Sequence, residues 1–366
     1  MKRMCKLKPR TICYPALFIV CLFAFQSCAK AISSEELCLS FLEKNMMAAG
    51  GVFTNYLTSD KVSELAAGHS VLLESQGLIL SYYADKGSMD KADKTLAFIK
   101  EKLDSGKILS YRLNEDGYRY SVNAAVDDLR VILAMLDAAD SFSRKDYREQ
   151  AAVYANRLYE TNVKDNALMD FYDEQYGVAN AFSTLCYPDL FAMQQMASLD
   201  ERWTPVAQKM QSLMLGGYLG DAFPMYQTRY NWESKAYETE RINMVESLLT
   251  MYHLSLVKIC PKMSLDYLKN TIRNGKLYAV YNTDGIKQSD MESTAVYALC
   301  ALIAASEKDE ELYRTAIECM LHFQVTDEKS LVYGAFADAE TLSAYSFDNL
   351  MALLALKAGD MFPGSL

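Results

Sequence analysis

Histidine, proline and tryptophan are scarce in this sequence of 366 residues, which contains 3 histidines, 7 prolines and 2 tryptophans. Neither an HExxH nor a CxxC pattern occurs, and 3 histidines offer little material for a histidine-based metal site. No stretch rich in proline, glycine or serine divides the chain, and no block of charge marks a tail. We therefore expect no metal, and we find no linker that would separate two domains.

Positive charge is also in deficit. The chain has 37 lysine and arginine residues against 47 aspartate and glutamate residues, so its net charge is −10 and its pI is about 5.0. Proteins that bind nucleic acids carry an excess of basic residues that neutralise phosphates. Because this chain is acidic instead, we expect no nucleic-acid partner. Hydrophobic residues make up 51% of the chain, enough for a large core.

The first 31 residues have the composition of an export leader. Basic residues are concentrated in the first ten positions, and the apolar run 16–25 that follows is short for a membrane span. Phe-Gln-Ser-Cys28 resembles a lipobox, although Phe25 and Gln26 fit it poorly, whereas Ala29-Lys-Ala31 fits ordinary cleavage. An uncleaved anchor is the third possibility. We expect lipidation at Cys28, with residues 32–366 forming one extracytoplasmic domain.

Cysteines beyond the leader do not suggest disulfides. Their number is odd, they are widely spaced, and most lie in apolar helical patterns. We interpret them as small buried hydrophobic residues. They are Cys38, Cys186, Cys260, Cys300 and Cys319.

Helical periodicity accounts for most of the chain. It predicts about twelve helices, near 35–48, 62–84, 89–103, 122–141, 145–161, 178–198, 202–215, 238–258, 264–274, 289–306, 309–324 and 343–357. The even-numbered segments are apolar nearly all round, which is typical of buried helices, and the odd-numbered ones have a polar face. Alternation of this kind predicts six helical hairpins in two concentric rings, an all-α (α/α)6 barrel. An open helical array is the alternative, but the sequence shows no fixed repeat.

Short strand-like segments precede several buried helices. Residues 108–120 alternate about an Asp-Gly turn signal, and residues 277–285 and 331–336 have a similar pattern. We expect short β-ribbons there, all at the rim where the inner helices begin.

Carboxylates near the starts of apolar helices are the most informative feature. Glu74 precedes one such run, Asp127 and Asp128 begin another, and Glu238 lies before a third. A buried acid requires a partner or a function. Acids gathered at one end of a barrel are the groups that cleave a glycosidic bond.

The motifs around these acids resemble those of glycoside hydrolase family 8. Leu73-Glu-Ser-Gln-Gly77 is similar to the family's Ser-Glu-Gly-Gln-like run, and Ala125-Val-Asp-Asp-Leu129 to its Ala-x-Asp-Ala-Asp-Leu-like run. Tyr237-Glu-Thr-Glu-Arg241 stands where the family has Tyr-Asp-x-x-Arg, with glutamate in place of aspartate. The resemblance extends over roughly 35–360 and includes the order of the helices. More narrowly, these motifs resemble those of a bacterial lipoprotein branch encoded near exopolysaccharide synthesis genes.

This resemblance implies an inverting endo-acting hydrolase of β-linked polysaccharide, without a cofactor. It implies that Glu74 is the general acid, that Asp128 is a catalytic residue that faces the cavity and binds sugar hydroxyls, and that Asp127 is a substrate-binding residue of lesser weight. It implies that Glu238 is the base that activates water, with Arg241 keeping it ionised. A capping role or an ion pair with Arg130 remains open for whichever aspartate does not face the cavity.

Aromatic residues supply candidate sugar-binding surfaces, because sugar rings stack on aromatic rings. The segment 224–237 is crowded with aromatic residues that no helical or strand period explains. The predicted substrate-binding aromatic residues are Tyr120, Tyr226, Tyr230, Trp232 and Tyr237.

Two other functions remain open on the sequence. A polysaccharide lyase or uronyl hydrolase could use the same barrel, with Arg229, Lys235 and Arg241 as the available cations. A carbohydrate-binding protein with reduced catalysis would explain the imperfect base motif. We expect a monomer with two partners. One is a polysaccharide, which is a bacterial exopolysaccharide in the hydrolase interpretation, and the other is a membrane reached through the lipid anchor.

Overall fold

All twelve predicted helices form in the computed structural model, which describes residues 32–58 and 68–362. The apolar, even-numbered helices are α2 (Leu73–Asp85), α4 (Ala125–Ser141), α6 (Leu190–Ala197), α8 (Met244–Leu256), α10 (Thr294–Glu307) and α12 (Ser346–Ala358). The others are α1 (Ser34–Asn45), α3 (Met89–Phe98), α5 (Lys145–Asn162), α7 (Trp203–Gly216), α9 (Lys262–Asn274) and α11 (Glu310–Leu321). A π-helical turn, Ile99–Leu103, continues α3, and a 3₁₀ turn, Gly359–Met361, follows α12.

The even-numbered helices form a closed inner ring. Each packs against the next in chain order, and α12 packs against α2 to complete the circle. On the outside, α3 packs on α2, α5 on α4, α7 on α6, α11 on α10 and α1 on α12. Closure of the ring rules out an open helical array, so the predicted (α/α)6 barrel is confirmed.

Burial explains why the two kinds of helix take their places. Every residue of α10 from Thr294 to Ala305 is buried, so this helix has apolar neighbours on all sides. In α5 the buried positions recur at helical spacing, including Tyr147, Ala151 and Leu158, and the opposite face is in water. Hydrophobic burial therefore assigns the first helix to the inner ring and the second to the outer ring.

Thirteen short strands lie in the described part of the chain: β1 (Met47–Ala48), β2 (Gly51–Val52), β3 (Val71–Leu72), β4 (Arg112–Leu113), β5 (Val163–Lys164), β6 (Ala167–Leu168), β7 (Tyr172–Asp173), β8 (Val178–Ala179), β9 (Phe182–Thr184), β10 (Arg229–Asn231), β11 (Ala236–Glu238), β12 (Ile242–Asn243) and β13 (Val280–Tyr281). All pairings are antiparallel. The pairs are β1–β2, β3–β4, β5–β6, β7–β8 and β12–β13, and β9–β10–β11 form a three-stranded sheet.

Two of the three predicted ribbons are confirmed. Strand β4 lies within 108–120 and pairs with β3 just before α2, and β13 lies within 277–285 and pairs with β12 just before α8. The third is confirmed only at its end: residues 331–333 form turns, whereas Phe336 makes an isolated antiparallel bridge with Gln324. Gly334 follows with a φ of +88°, a conformation outside the β region, and Ala335 hydrogen-bonds back to Val332.

Several inner helices begin later than predicted. Helix α6 begins at Leu190 after Asp189, whose side chain accepts a hydrogen bond from the Ala192 N–H. Helix α8 begins at Met244 after the capping residue Asn243. The residues before these caps form β8, β9, β11 and β12 instead of helix. Glu238 therefore lies at the end of a strand, not on the helix that the apolar pattern indicated.

The five cysteines beyond the leader are unpaired, as predicted. Three of them are buried, whereas Cys260 and Cys319 are partly exposed.

No helix in residues 32–58 or 68–362 is long and apolar enough to cross a membrane. The leader, including the predicted lipidation site Cys28, lies outside the described residues.

Candidate active site

The first turns of α2 and α4 bring two acidic side chains together. Glu74 is the second residue of α2, whose start is fixed by a 2.9 Å hydrogen bond from the Leu73 N–H to the Tyr111 carbonyl. Asp127 is the third residue of α4. Since α2 and α4 are neighbours in the inner ring, both carboxylates reach the space between them.

Arg130 joins these two carboxylates. Its Nη1 lies 2.9 Å from Asp127 Oδ1 and 3.3 Å from Glu74 Oε2. The Arg130 and Asp127 side chains are only 11% and 8% exposed, whereas Glu74 retains 25% exposure. One guanidinium group thus holds two acids, and Glu74 is the one that solvent or a ligand can reach.

Burial shifts the protonation of both acids. Burial is the main cause that raises the pKa of Glu74 above its usual value; the charge of Asp348 adds to the rise, and Arg130 opposes it. Burial also raises the pKa of Asp127 to about 7, against Arg130, and Glu74 contributes to the increase. A carboxyl group with a raised pKa keeps its proton to a higher pH than a free one. The raised pKa therefore makes Glu74 suitable as a general acid.

Asp128 does not face this cluster, so the prediction that it is the cavity-facing aspartate is wrong. Its Oδ2 accepts a 2.8 Å hydrogen bond from Asn123 Nδ2, and Asn123 is hydrogen-bonded in turn to Asn162 of α5. Burial and the neighbouring Asp127 raise the pKa of Asp128 well above its usual value. Adjacent helical residues point about 100° apart, so Asp127 and Asp128 cannot both face Arg130. Asp127 contacts Arg130, and Asp128 is turned towards Asn123 and α5.

A cavity of about 620 Å³ opens before the start of α8 and contains the predicted base motif. It is lined by Thr228, Arg229, Glu238, Thr239, Glu240, Arg241, Asn243 and Glu246. Glu238 accepts hydrogen bonds from Arg229 Nε and from Asn231 Nδ2, both at 2.9 Å. The Glu238 carboxylate is thus held in place and faces open space, with Arg241 on the same wall.

The sheet β9–β10–β11 has two faces of different character. Residues directly opposite each other on antiparallel strands share a face, and successive residues alternate between faces. Arg229 is opposite both Glu238 and Thr184, and these three residues share the face that carries the cavity wall. Tyr230 is opposite Tyr237 and therefore belongs to the other face.

Tyr230, Trp232 and Tyr237, which were predicted to bind substrate, therefore lie on the opposite side of the sheet from Glu238. The Tyr237 hydroxyl donates a 2.7 Å hydrogen bond to the Leu213 carbonyl of α7. The Trp232 indole N–H donates at 2.8 Å to Ser183, which is opposite Tyr230 on β9. The aromatic crowding of 224–237 reflects a sheet face packed beside α7.

The other predicted aromatic residues have different environments. Tyr226 is 1% exposed, packs against Tyr218 at 5.9 Å between ring centroids, and belongs to the core, so its predicted contact with substrate is wrong. Tyr120 is partly exposed next to Tyr118 and Tyr111, at 5.2 and 5.6 Å between centroids. It lies shortly before α4, where a rim aromatic residue was predicted.

Two further acids near the site were missed from the sequence. Asp170 accepts hydrogen bonds from the Thr184 N–H at 2.7 Å and the Thr184 hydroxyl at 2.6 Å. Burial is the main cause that raises the pKa of Asp170 to about 7, and the charge of Glu246 adds to the increase. The two hydrogen bonds from Thr184 and the charge of Arg229 oppose it. Asp348 of α12 accepts a 2.9 Å hydrogen bond from the Ala295 N–H. Both are lone acids in apolar runs, the same signal that pointed to Glu74.

Within residues 32–58 and 68–362, no group of three or more histidine, cysteine, aspartate or glutamate side chains is arranged to hold a metal ion.

Comparison with known proteins connects this geometry to carbohydrate-active enzymes. No model of a protein family matches the chain. A Bacillus subtilis (strain 168) protein named Putative lipoprotein YdaJ is 26% identical over 291 residues, which are 78% of each chain. A solved structure of a novel alpha-amylase from Clostridium perfringens is 29% identical, with a TM-score of 0.84 over 90% of this chain and 99% of that one.

More distant structures share the barrel. Endoglucanase Cel10 from Klebsiella pneumoniae, a family 8 glycosyl hydrolase, is 15% identical, with a TM-score of 0.63 over 88% of this chain and 99% of that one. Such a low identity establishes the fold and not the substrate. The resemblance indicated by the sequence motifs is confirmed at this level: the chain has the (α/α)6-barrel fold of the family 8 glycoside hydrolases.

Proposed function

We propose that this chain is a glycoside hydrolase that cuts a polysaccharide internally, with inversion of configuration. The observation that carries the proposal is the Glu74–Arg130–Asp127 cluster at the rim of the barrel. It holds an acid of raised pKa that remains partly exposed, as a general acid must. The resemblance in fold to glycoside hydrolases supports the assignment but does not carry it alone.

The proposed reaction needs only the chain, water and the sugar. Glu74 gives its proton to the oxygen of the glycosidic bond, and the bond from that oxygen to the anomeric carbon breaks. A carboxylate on the opposite side takes a proton from water while the water oxygen bonds to the anomeric carbon. Glu74 is left ionised, the base is left protonated, and exchange with solvent restores both.

Glu238 is the proposed base. It is a held carboxylate on the open wall of the cavity, and Asn231 and Arg229 fix its orientation. Asp170, on the same side of the sheet as Arg229, is the second candidate because it is buried and lies near Arg229 and Glu246. In this scheme Asp127 positions Arg130 and, through it, Glu74, while Arg241 and Tyr120 contact the substrate.

Two classes of polymer are candidate substrates. The sequence motifs favour a β-linked polysaccharide, and the lipoprotein branch that they resemble favours a bacterial exopolysaccharide. An α-linked glucan is the second candidate, because the Clostridium perfringens structure that is 29% identical is an alpha-amylase. These two substrate classes differ in linkage, so a polymer panel separates them.

The site of action is proposed to be outside the cytoplasm, with a lipid at Cys28 holding the domain to a membrane. Support comes from the leader composition and from the name of the Bacillus subtilis relative. A folded domain tethered by lipid could cut polymer at the cell surface without entering the bilayer.

The test is hydrolysis of a polymer panel by the purified domain. The panel contains mixed-linkage β-glucan, carboxymethyl cellulose, xylan, chitosan, soluble starch and a microbial exopolysaccharide. An internal cut lowers viscosity sharply while few reducing ends appear. Glu74→Gln should abolish both signals, whereas Glu149→Gln, a matched change on the exposed side of α5, should not. Absence of reducing ends from every polymer would refute the proposal.

A further inference from the structure

A second cavity, of about 690 Å³, lies on the other side of the sheet from Glu238. Its walls include Tyr230 and Trp232 of the β10 segment, Lys209 of α7, and Lys164 at the end of β5. Since Tyr230 and Glu238 belong to opposite faces of the sheet, this cavity is separate from the one that holds the proposed base.

Two aromatic rings form a fixed corner in this second cavity. The centroids of Tyr230 and Trp232 are 4.8 Å apart with an interplanar angle of 68°. The hydrogen bond from the Trp232 indole to Ser183 holds the tryptophan ring in its plane. A ring held in this way loses little conformational freedom on binding, so it is suited to stacking against the C–H face of a sugar.

Positive charge collects around this corner. The Lys209 ammonium lies 4.7 Å from the centroid of the Trp232 ring, where it also donates to the Asp165 carbonyl at 2.7 Å. Lys164 and Lys235 lie on the same walls. None of these three lysines forms an ion pair with a carboxylate anywhere in the described ranges.

The cavity also contains two acids, so its charge must be counted in full. Asp165 and Glu233 line it together with the three lysines, which leaves one excess positive charge. The chain as a whole carries −10, so this excess is local and opposite in sign. An unpaired ammonium beside an aromatic platform is complementary to a sugar that carries a carboxylate.

We propose that this cavity is a second glycan-binding site, distinct from the cleavage site, that takes a uronate-containing segment of polysaccharide. Trp232 and Tyr230 supply the stacking surface, and Lys209 and Lys235 meet the carboxylates. The site rests on the proposed function only in that both concern polysaccharides, because binding here requires no hydrolysis. It would hold a long polymer on the enzyme between cuts and raise its effective concentration at the barrel rim.

Tryptophan fluorescence tests the site directly. Of the two tryptophans, Trp203 is fully buried and Trp232 is partly exposed in the second cavity. Hexagalacturonate, a hexamer of α-linked uronic acids, is titrated into Glu74→Gln protein, with cellohexaose as the neutral probe of equal length. We expect a saturable change in fluorescence with hexagalacturonate that disappears in a Glu74→Gln, Trp232→Phe double variant.

Charge is tested with two pairs of lysine substitutions in the Glu74→Gln background. Lys209→Ala with Lys235→Ala should weaken hexagalacturonate binding by at least tenfold. The matched pair, Lys94→Ala with Lys145→Ala on exposed outer-helix positions, should leave it unchanged. Circular dichroism and melting temperature confirm that each variant is folded.

Three results would overturn the site: no fluorescence change with hexagalacturonate, an equal change with cellohexaose, or unaltered affinity after the Lys209 and Lys235 substitutions. Failure of the proposed function is a different result. If no polymer were cut but hexagalacturonate still bound through Trp232, the hydrolase proposal would fail and the glycan site would stand. If polymers were cut without binding here, the reverse would hold.

Discussion

Substitution of Arg130 tests the electrostatic centre of the site. Arg130→Gln keeps part of the side-chain stem and an N–H donor but removes the charge that lies 2.9 Å from Asp127 and 3.3 Å from Glu74. The two carboxylates would then face each other in a largely buried space without a cation. We expect a loss of stability whose size depends strongly on pH.

The magnitude follows from the contacts. A pair of unit charges near 4 Å gains about 4 kcal/mol at an effective dielectric constant of 20, and desolvation cancels part of this gain. Removing one partner from a buried ion pair typically costs about 3–5 kcal/mol. We expect Arg130→Gln to lower the free energy of unfolding by about that amount at pH 8, where unfolded carboxyl groups are ionised.

The sign of the pH dependence follows from proton linkage. Without Arg130, both folded carboxyl groups have pKa values raised above their unfolded values of about 4. The folded variant then binds more protons than the unfolded chain, so its stability falls as pH rises above about 4. At pH 5 these two groups carry less negative charge in the variant than at pH 8, so its deficit relative to the unmodified protein should be smaller there.

Urea unfolding at pH 5 and pH 8, followed by circular dichroism, measures the two deficits. Adding Asp127→Asn to Arg130→Gln should recover part of the stability lost at pH 8, because it removes one of the uncompensated acids. A deficit of equal size at both pH values would refute this reasoning and indicate lost packing instead. A variant as stable as the unmodified chain at pH 8 would show that the ion pairs do not form.

Four other predictions are more local. Glu74→Gln should lower the turnover of any cleaved polymer by about 10²–10⁴-fold in a reducing-end assay, because the transferable proton is lost. The protein should stay folded, because Arg130 keeps its ion pair with Asp127. Glu238→Gln should reduce kcat and leave KM nearly unchanged; full activity would shift the base to Asp170. Burial raises the pKa of Asp170 to about 7, so stability should fall between about pH 4 and pH 7, and Asp170→Asn should flatten this fall in melting temperature. Cys28→Ala should release the protein from membrane fractions or leave a precursor, whereas a mature N-terminus at Ile32 would indicate ordinary cleavage instead of lipidation.

The barrel could be predicted from the sequence because its determinants are local and repeated. Continuous apolar runs such as 295–303 indicate buried helices, and polar stripes such as that of α11 indicate surface helices. The alternation of the two kinds fixes the number of hairpins. The first residues of the helices were harder to predict. Capping by Asp189 and Asn243 depends on side-chain hydrogen bonds that the apolar periodicity does not reveal.

The site was predictable only in part, since its contacts join distant positions. Glu74 was identified from its apolar surroundings, but its partner Arg130 lies 56 residues away. The choice between Asp127 and Asp128 depended on that partner and could not be made from helix phase alone. Likewise, the sequence could not tell that Tyr230 and Glu238 lie on opposite faces of one sheet, because the register with β9 and β11 decides which side chains share a wall.

Proton NMR of a polysaccharide digest is the measurement that tests the central claim most directly. During incubation with the purified domain, new anomeric signals should appear from at least one polymer, with the first product opposite in configuration to the bond cut. The same sample with Glu74→Gln should show none. Retained configuration would contradict the inverting arrangement. Signals from an unsaturated uronic acid, or undiminished cleavage by Glu74→Gln, would contradict acid-catalysed hydrolysis at this cluster.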